Sequence, residues 1–461
     1  MTGRQVIGWR GLLLLATVMA IAGCAYELVR AKGVDRLQAQ TIEAGLERIR
    51  GLNFIRPVPL VVESSAGAQR DIAAQLERDV GAREFRRQAQ IGAWLGLYPP
   101  GIELRQQTLA LLKDQVAGFY DPDQGRMILV RGAVKLGLWD SAAQFLHRRD
   151  LMGELLLAHE LTHALQDQHF DLKDKLAALK DNDDRALALK SVAEGDATIT
   201  GFAYINGGMG KVQIDQLVAR LSDLPRIFAH QAGSVPEALR APMAFEYSAG
   251  VRFVAAAIRR GGWPAVNALY TNPPQSSQQI LHPALYFDYP APPSHLVLRG
   301  YRTSLPQWQA IDSNTLGEFM LGLLLRRTLE AHAPADEIAR AWAADRMVIL
   351  TRGDALSLIW LIQFRDPAIA NRFATLYGAA LTRRLSHVAA MQIEARGSAA
   401  LLMVGAASAE FARVREAVFA RSDLGAARPL PRPPAPSLRV QAGESRLSFS
   451  RALEMSSRSL R

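Results

Sequence analysis

The segment LLAHELTHALQDQHF, residues 156–170, restricts the fold and chemistry of this chain more than any other stretch. His159 and His163 are four residues apart, so in a helix of about 3.6 residues per turn both rings lie on nearly the same face. That spacing suits two imidazoles that converge on one metal ion, and Glu160 lies at the edge of the same face. A glutamate there can act as a catalytic base without becoming a ligand. The apolar residues keep helical spacing from about Leu151, so the sequence predicts a zinc-binding helix.

Two residues are candidates for the third protein ligand. His169 follows the second histidine by six residues, but this arrangement normally needs a chain reversal at the position that Gln166 occupies. In a continuous helix His169 would lie about 15 Å along the axis from the first histidine. Glu194 belongs to a second predicted helix, 185–205, which an antiparallel turn would bring back to the histidine pair. We therefore choose Glu194 as the third ligand.

The motifs HELTHALQDQHF and VAEGDAT resemble the gluzincin class of zinc metallopeptidases, of which thermolysin is the familiar member. They also resemble bacterial lipoproteins that share HELTHALQDQ and EGDA segments, and the later segments LHPALY, NTLGEF and AWAADR extend this likeness over much of 110–350. The resemblance implies a zincin-like core and one Zn²⁺ held by His159, His163 and Glu194. It further implies hydrolysis of a peptide or protein substrate by a zinc-activated water, with Glu160 as general base.

The supporting residues around the metal are less clearly predicted. Thermolysin has an aspartate four residues after its glutamate ligand, whereas this chain has Thr198; Asp196 is nearby but on another helix face. The oxyanion of the reaction needs a donor besides zinc. Tyr247 in FEYSAG and His282 in ILHPALY are our candidates, and both are counted as catalytic residues.

The N-terminus predicts export. Residues 1–23 contain two arginines, no acidic residue and a short apolar run, and they are followed by Cys24 in the sequence IAGC. This resembles a bacterial lipobox, which implies that Cys24 is diacylated and anchors the chain to the cell envelope, in the outer membrane because Ala25 follows it. Cys24 is the only cysteine, so the mature chain has neither an internal disulfide nor a catalytic thiol.

The positive charge lies mainly at the C-terminus. The formal net charge is +10, and the 425–461 tail carries seven arginines and two glutamates, or 7 − 2 = +5. Removal of the two arginines of 1–23 leaves +8, so the body of the chain is nearly neutral. The charge therefore does not predict nucleic-acid binding.

The remaining patterns predict an α+β fold. The run 116–132 predicts a hairpin in which Arg126 to Val130 is the second strand and the edge that pairs with an extended substrate. The Arg-Gly turns at 352–353 and 396–397 are 44 residues apart, and Asp366 and Ser408 are predicted N-caps, which together indicate a ββα-ββα unit. The predicted divisions are a signal peptide (1–23), a tether or helix (24–50), a zincin-like core (51–210), a mostly helical region (211–345), the ββα-ββα unit (346–424) and a disordered basic tail (425–461).

Two other functions agree with the same sequence. The chain could be a lipoprotein scaffold or assembly factor with a structural or vestigial zinc site, or an amidase that acts on cell-wall peptide cross-links. The sequence does not predict an oligomeric state. We interpret four other histidines as structural or surface residues: His230, His295, His332 and His387.

Overall fold

The computed structural model describes residues 29–30, 33–113, 118–130, 150–226, 235–329, 332–386 and 389–426. The predicted signal peptide, Cys24, His230, His387 and the tail from 427 lie outside this part of the chain. Within it, none of the helices combines the length and apolar character needed to cross a membrane. The fold is mixed α and β, with a sheet in the C-terminal part, as the sequence predicts at that level.

The N-terminal part alternates short strands and helices. Its elements are β1 (Val29–Arg30), β2 (Gly33–Val34), α1 (Arg36–Arg50), β3 (Leu60–Glu63), α2 (Ser65–Asp79), α3 (Gly81–Leu95), α4 (Leu104–Lys113), β4 (Gly118–Asp121) and β5 (Arg126–Val130). The predicted hairpin is confirmed: β4 and β5 are antiparallel, and Asp121 Oδ1 accepts hydrogen bonds from the backbone N–H groups of Asp123 and Gln124 in the turn.

The prediction that Arg126 to Val130 forms a sheet edge is wrong. The strand order is β3-β5-β4, so β5 is central and pairs on its other side with β3 in parallel. Parallel strands are not joined by a hairpin, and Leu60 to Glu63 lies far from β5 in the sequence. The sequence pattern around the hairpin therefore does not indicate that β3 pairs with β5. Among the described strands, β4 is the edge of this sheet on the hairpin side.

Helix α1 is a packed core element. Asp35 caps its N-terminus by accepting a hydrogen bond from Gln38 N, and Ile42 and Leu46 are fully buried against the helix that begins at Leu151. Arg50 at its C-terminal end is also buried. The alternative of a loose tether is therefore wrong for residues 36–50.

The central part is helical. Its elements are α5 (Leu151–Phe170), α6 (Leu172–Ala177), α7 (Asp183–Ile205), a 3₁₀ turn (Met209–Lys211), α8 (Ile214–Leu221) and α9 (Glu237–Thr271), which bends at Gly261–Gly262. Helix α5 begins at Leu151 as predicted and is continuous to Phe170. Helices α5 and α7 are antiparallel neighbours, because Gly201 of α7 lies against Leu155 near the start of α5, while Gln166 near its end bonds to Ala193 O.

Small residues allow α9 to approach α7 closely. A Cβ placed at Gly195 would collide with the backbone carbonyl of Gly250, and a Cβ at Gly250 would collide with the carbonyl of Ser191. The glycine of the EGDA segment is thus needed for packing. The contact brings Tyr247, which lies one turn before Gly250, close to Glu194, the residue before Gly195.

We expect Gly195→Ala to lower the free energy of unfolding by about 1–3 kcal/mol or more, because the added methyl group meets rigid backbone. Urea denaturation of the full chain would measure this. Gly210→Ala is the matched control, since nothing lies within 4 Å of its Cβ position, and it should change stability by less than about 0.5 kcal/mol. Equal stability of the Gly195→Ala variant and the wild type would contradict the packing argument.

The C-terminal part contains the predicted order strand, strand, helix, twice. The elements from residue 277 are α10 (Ser277–Leu281), α11 (Ala284–Phe287), β6 (Leu296–Val297), α12 (Tyr301–Ser304), β7 (Gln309–Asn314), α13 (Gly317–Thr328), α14 (His332–Arg340), β8 (Trp342–Arg352), β9 (Ala355–Phe364), α15 (Pro367–Leu385), β10 (Met391–Arg396), β11 (Ala399–Gly405), a 3₁₀ turn (Ser408–Glu410), α16 (Phe411–Arg421) and β12 (Asp423–Leu424). The sheet order is β10-β11-β9-β8-β7, entirely antiparallel.

Several details of this region differ from the sequence prediction. Strand β7 comes from the stretch predicted to be helical, and β8 begins at Trp342, ahead of the predicted boundary at 346. Asp366 caps α15 as predicted, whereas Ser408 starts a 3₁₀ turn and α16 begins only at Phe411. The buried carboxylate of Asp345 in β8 accepts hydrogen bonds from the indoles of Trp342 and Trp360 and so links β8 to β9.

Candidate metal centre

Three side chains from α5 and α7 converge on one point. His159 Nε2 lies 3.2 Å from His163 Nε2, and Glu194 contributes an oxygen 3.2 Å from the first ring and another 3.5 Å from the second. Among the described residues, this is the group of His, Cys, Asp and Glu side chains whose ligand atoms lie close enough to hold a metal ion. The antiparallel packing of the two helices positions it, with Glu194 facing the histidine pair.

The spacing of these atoms is close to that of the ligands of one zinc ion. Zinc bonds to imidazole nitrogen and carboxylate oxygen are about 2.0–2.2 Å long, so two ligands of one tetrahedron lie about 3.3–3.6 Å apart. The two ring nitrogens are 3.2 Å apart, and each lies near a different oxygen of Glu194, at 3.2 Å and 3.5 Å. With one ligand atom taken from each residue, the three atoms lie within 4.8 Å of one another. Glu194 Oε2 is buried and makes no hydrogen bond of good geometry in the described part of the chain, although His159 Nε2 lies 3.2 Å away, and a cation would satisfy it. Two imidazoles and one carboxylate are a donor set that zinc binds, so the residues present fit this metal.

The charges at the site favour a cation. Burial raises the pKa of Glu194, but His163 and His159 outweigh it and hold that pKa well below its usual range. Burial alone would lower the pKa of His163, whereas the carboxylates of Glu194 and Glu160 raise it to about 10. A histidine that holds its proton this strongly lies in a field that stabilises positive charge, whether a proton or a metal ion supplies it.

Glu160 lies beside the cluster, and its side chain is hydrogen-bonded to the backbone of β4. Its Oε2 accepts a hydrogen bond from Tyr120 N on the edge strand β4, at 3.2 Å. Burial raises the pKa of Glu160, while His159 and His163 act in the opposite direction. A buried carboxylate with a raised pKa beside a candidate metal site is a candidate general base.

Tyr247 reaches the same site from α9. Its hydroxyl lies near enough to Glu194 for the two to interact electrostatically, and its ring stacks on His159 with a centroid distance of 5.9 Å. Burial and the nearby carboxylates of Glu194 and Glu160 raise its pKa well above the usual value, so the hydroxyl stays protonated and can donate. The neighbouring Glu246 does not join the cluster, and burial raises its pKa to about 8.

His282, His169 and His295 have partners away from this centre. His282 lies 2.8 Å from Glu318 of α13, and its role as oxyanion donor stays a prediction with no contact to the cluster behind it. His169 Nε2 lies 2.7 Å from Asn53 O. His295 lies 3.2 Å from Asp423 Oδ2 on the surface.

A buried polar chain behind His163 was not predicted from the sequence. Gln166 bonds to His163 on one side and to Asp196 on the other, and Asp196 forms an ion pair with Arg50 at 3.0 Å. Gln166 is three residues after His163, and this spacing on a helix could have suggested the contact. Arg50 could not have been found this way, since 146 residues separate it from Asp196.

A family model described as a domain of unknown function, DUF8575, matches residues 304–417, which contain the C-terminal sheet and not the three converging side chains. No curated protein and no solved structure matches the chain.

Proposed function

We propose that this protein is a zinc-dependent peptidase with a gluzincin-like catalytic core, anchored to the cell envelope through a lipid on Cys24. The observation that carries the proposal is the convergence of His159, His163 and Glu194, whose ligand atoms lie within 4.8 Å of one another. Glu160 adds a base where the His-Glu-x-x-His chemistry requires one. Zinc, when bound, would polarise the substrate carbonyl and activate a water molecule.

The residues around this position have separate roles in the proposal. Glu160 takes the proton of the attacking water and passes it to the leaving amine. Tyr247 donates a hydrogen bond from its hydroxyl to the oxyanion that forms on the substrate carbonyl. It can do so because the hydroxyl lies beside the ligand Glu194 and remains protonated.

The substrate backbone pairs with β4 in this proposal. Tyr120 N–H points away from β5 and toward Glu160, so the outer edge of β4 borders the catalytic base. An extended peptide that adds to this edge gains main-chain hydrogen bonds and brings its carbonyl carbon toward the metal site. This replaces the assignment of β5 as the pairing edge.

The proposal is tested with the purified full chain, its zinc content and two substrate classes. We expect about one zinc per chain, hydrolysis of an unstructured protein such as casein, inhibition by a chelator and recovery on addition of zinc. Cleavage of peptidoglycan peptides without cleavage of protein would instead indicate a cell-wall amidase. Bound zinc with neither activity would indicate the scaffold function.

Replacement of Tyr247 by phenylalanine is expected to lower kcat by about 10²–10³-fold, the usual effect of losing one oxyanion donor. The zinc content should not change, because the tyrosine is not among the three converging ligands. Steady-state kinetics beside zinc analysis would check both parts. A variant with wild-type kcat would remove Tyr247 from the mechanism.

A further inference from the structure

We propose that Gln166 is a positioning residue that fixes His163 as the tautomer with a proton on Nδ1, so that Nε2 is free to bind the metal ion. The inference rests on the proposed function for the identity of the ion as zinc. The support for the inference is the direction of each hydrogen bond that runs from His163 through Gln166 to Asp196.

Gln166 has three hydrogen-bond partners and is buried, with 1% of its surface exposed. Its Oε1 lies 2.8 Å from His163 Nδ1. Its Nε2 donates to Ala193 O at 3.0 Å and to Asp196 Oδ2 at 3.1 Å.

Asp196 determines which way the amide of Gln166 points. Its carboxylate is fully buried, pairs with Arg50 and accepts hydrogen bonds from Tyr270 Oη at 2.8 Å and from Thr200 Oγ1 at 3.1 Å. An ionised carboxylate only accepts hydrogen bonds, and so does a backbone carbonyl. If the amide of Gln166 were flipped, its oxygen would face two acceptors in a buried site, which costs about 1–3 kcal/mol for each unsatisfied group.

The orientation of the amide then determines the tautomer of His163. Since Nε2 of Gln166 faces its two acceptors, Oε1 is the atom left for the imidazole, and an oxygen of this kind can only accept. His163 Nδ1 must therefore carry the hydrogen. The lone pair of neutral His163 is then on Nε2, the atom that faces His159 and Glu194. The opposite tautomer would place an N–H among the ligand atoms and prevent coordination.

The test compares two leucine variants of the full chain. Gln166→Leu removes the acceptor for His163 and keeps a side chain of similar size. Gln168→Leu makes the same change two residues later, where the glutamine bonds to the backbone N–H of Ile55 and Arg56 outside the metal site. Zinc affinity is measured by competition with a chromogenic chelator, and thermal unfolding of the metal-free chains checks that both are folded.

We expect Gln166→Leu to weaken zinc binding by about 10–100-fold, the usual effect of losing an outer partner of a ligating histidine. Gln168→Leu should bind zinc as the wild type does. Gln166→Glu keeps an acceptor for the ring hydrogen and should bind zinc more tightly than Gln166→Leu. Equal affinities for Gln166→Leu and the wild type, or the reverse order of the two Gln166 variants, would overturn the proposal.

A second measurement reads the tautomer directly. In the zinc-loaded wild type with ¹⁵N-labelled histidine, NMR should detect a slowly exchanging hydrogen on His163 Nδ1, and this hydrogen should exchange faster in Gln166→Leu. Coordination through Nδ1 instead would overturn the proposal regardless of the affinities. A wild type that binds zinc, shows the Nδ1 hydrogen and cleaves no peptide would remove the proposed function and leave this inference standing.

Discussion

Glu160→Gln is expected to keep its zinc and to lose about 10²–10⁴-fold in kcat, the range that a positioned general base contributes. Glutamine has nearly the same shape and can still accept the hydrogen bond from Tyr120 N, so the geometry around the site is kept. It cannot take a proton from water. Zinc analysis and casein hydrolysis on the same preparation would measure both effects.

Glu246→Gln is the matched control for this substitution. Burial raises the pKa of Glu246 to about 8, so at pH 7 this side chain is mostly neutral and glutamine leaves its charge nearly unchanged. We expect activity within a few-fold of wild type. A Glu160→Gln variant that loses its zinc, or one that keeps more than about a tenth of the wild-type rate, would contradict the role of Glu160 as base.

Glu194→Ala is expected to weaken zinc binding by about 100-fold or more. Structural zinc sites bind with roughly 10–16 kcal/mol shared among four ligands, so one ligand contributes on the order of 3 kcal/mol. The two remaining histidines would hold the ion without the negative charge that now pairs with both rings. Equilibrium dialysis against buffered zinc would measure the change.

His169→Ala is the control, because His169 is the other candidate for the third ligand. Helix α5 is continuous to Phe170, and His169 bonds to the backbone of Asn53, so its loss should leave the zinc affinity unchanged. If His169→Ala lost zinc while Glu194→Ala kept it, the assignment of the third ligand would be wrong.

The sequence predicted those parts of the centre that depend on local helical spacing. His159, Glu160 and His163 belong to one helix, and their relative positions follow from its geometry. The prediction of Glu194 as a ligand required one further assumption, that α7 runs antiparallel to α5. The two helices are close enough in the sequence to favour that arrangement. Tyr247 was predicted as a candidate oxyanion donor from the segment FEYSAG. It lies beside the ligands because Gly195 and Gly250 let α9 approach α7.

Contacts between distant segments were harder to predict. The sheet edge was misassigned because β3 pairs in parallel with β5 from far away in the sequence. Likewise, the end of α1 gave no sign that Arg50 is buried against Asp196. Such pairings depend on how whole elements pack together, which a periodic pattern along one segment does not encode.

X-ray absorption spectroscopy at the zinc edge, on the purified full chain loaded with one equivalent of zinc, tests the central claim most directly. We predict a four-coordinate ion with two imidazole nitrogens at about 2.0–2.1 Å, and the remaining oxygen ligands at about 2.0–2.2 Å. A spectrum without histidine scattering, or a six-coordinate shell of oxygen atoms, would contradict a metal centre formed by His159, His163 and Glu194.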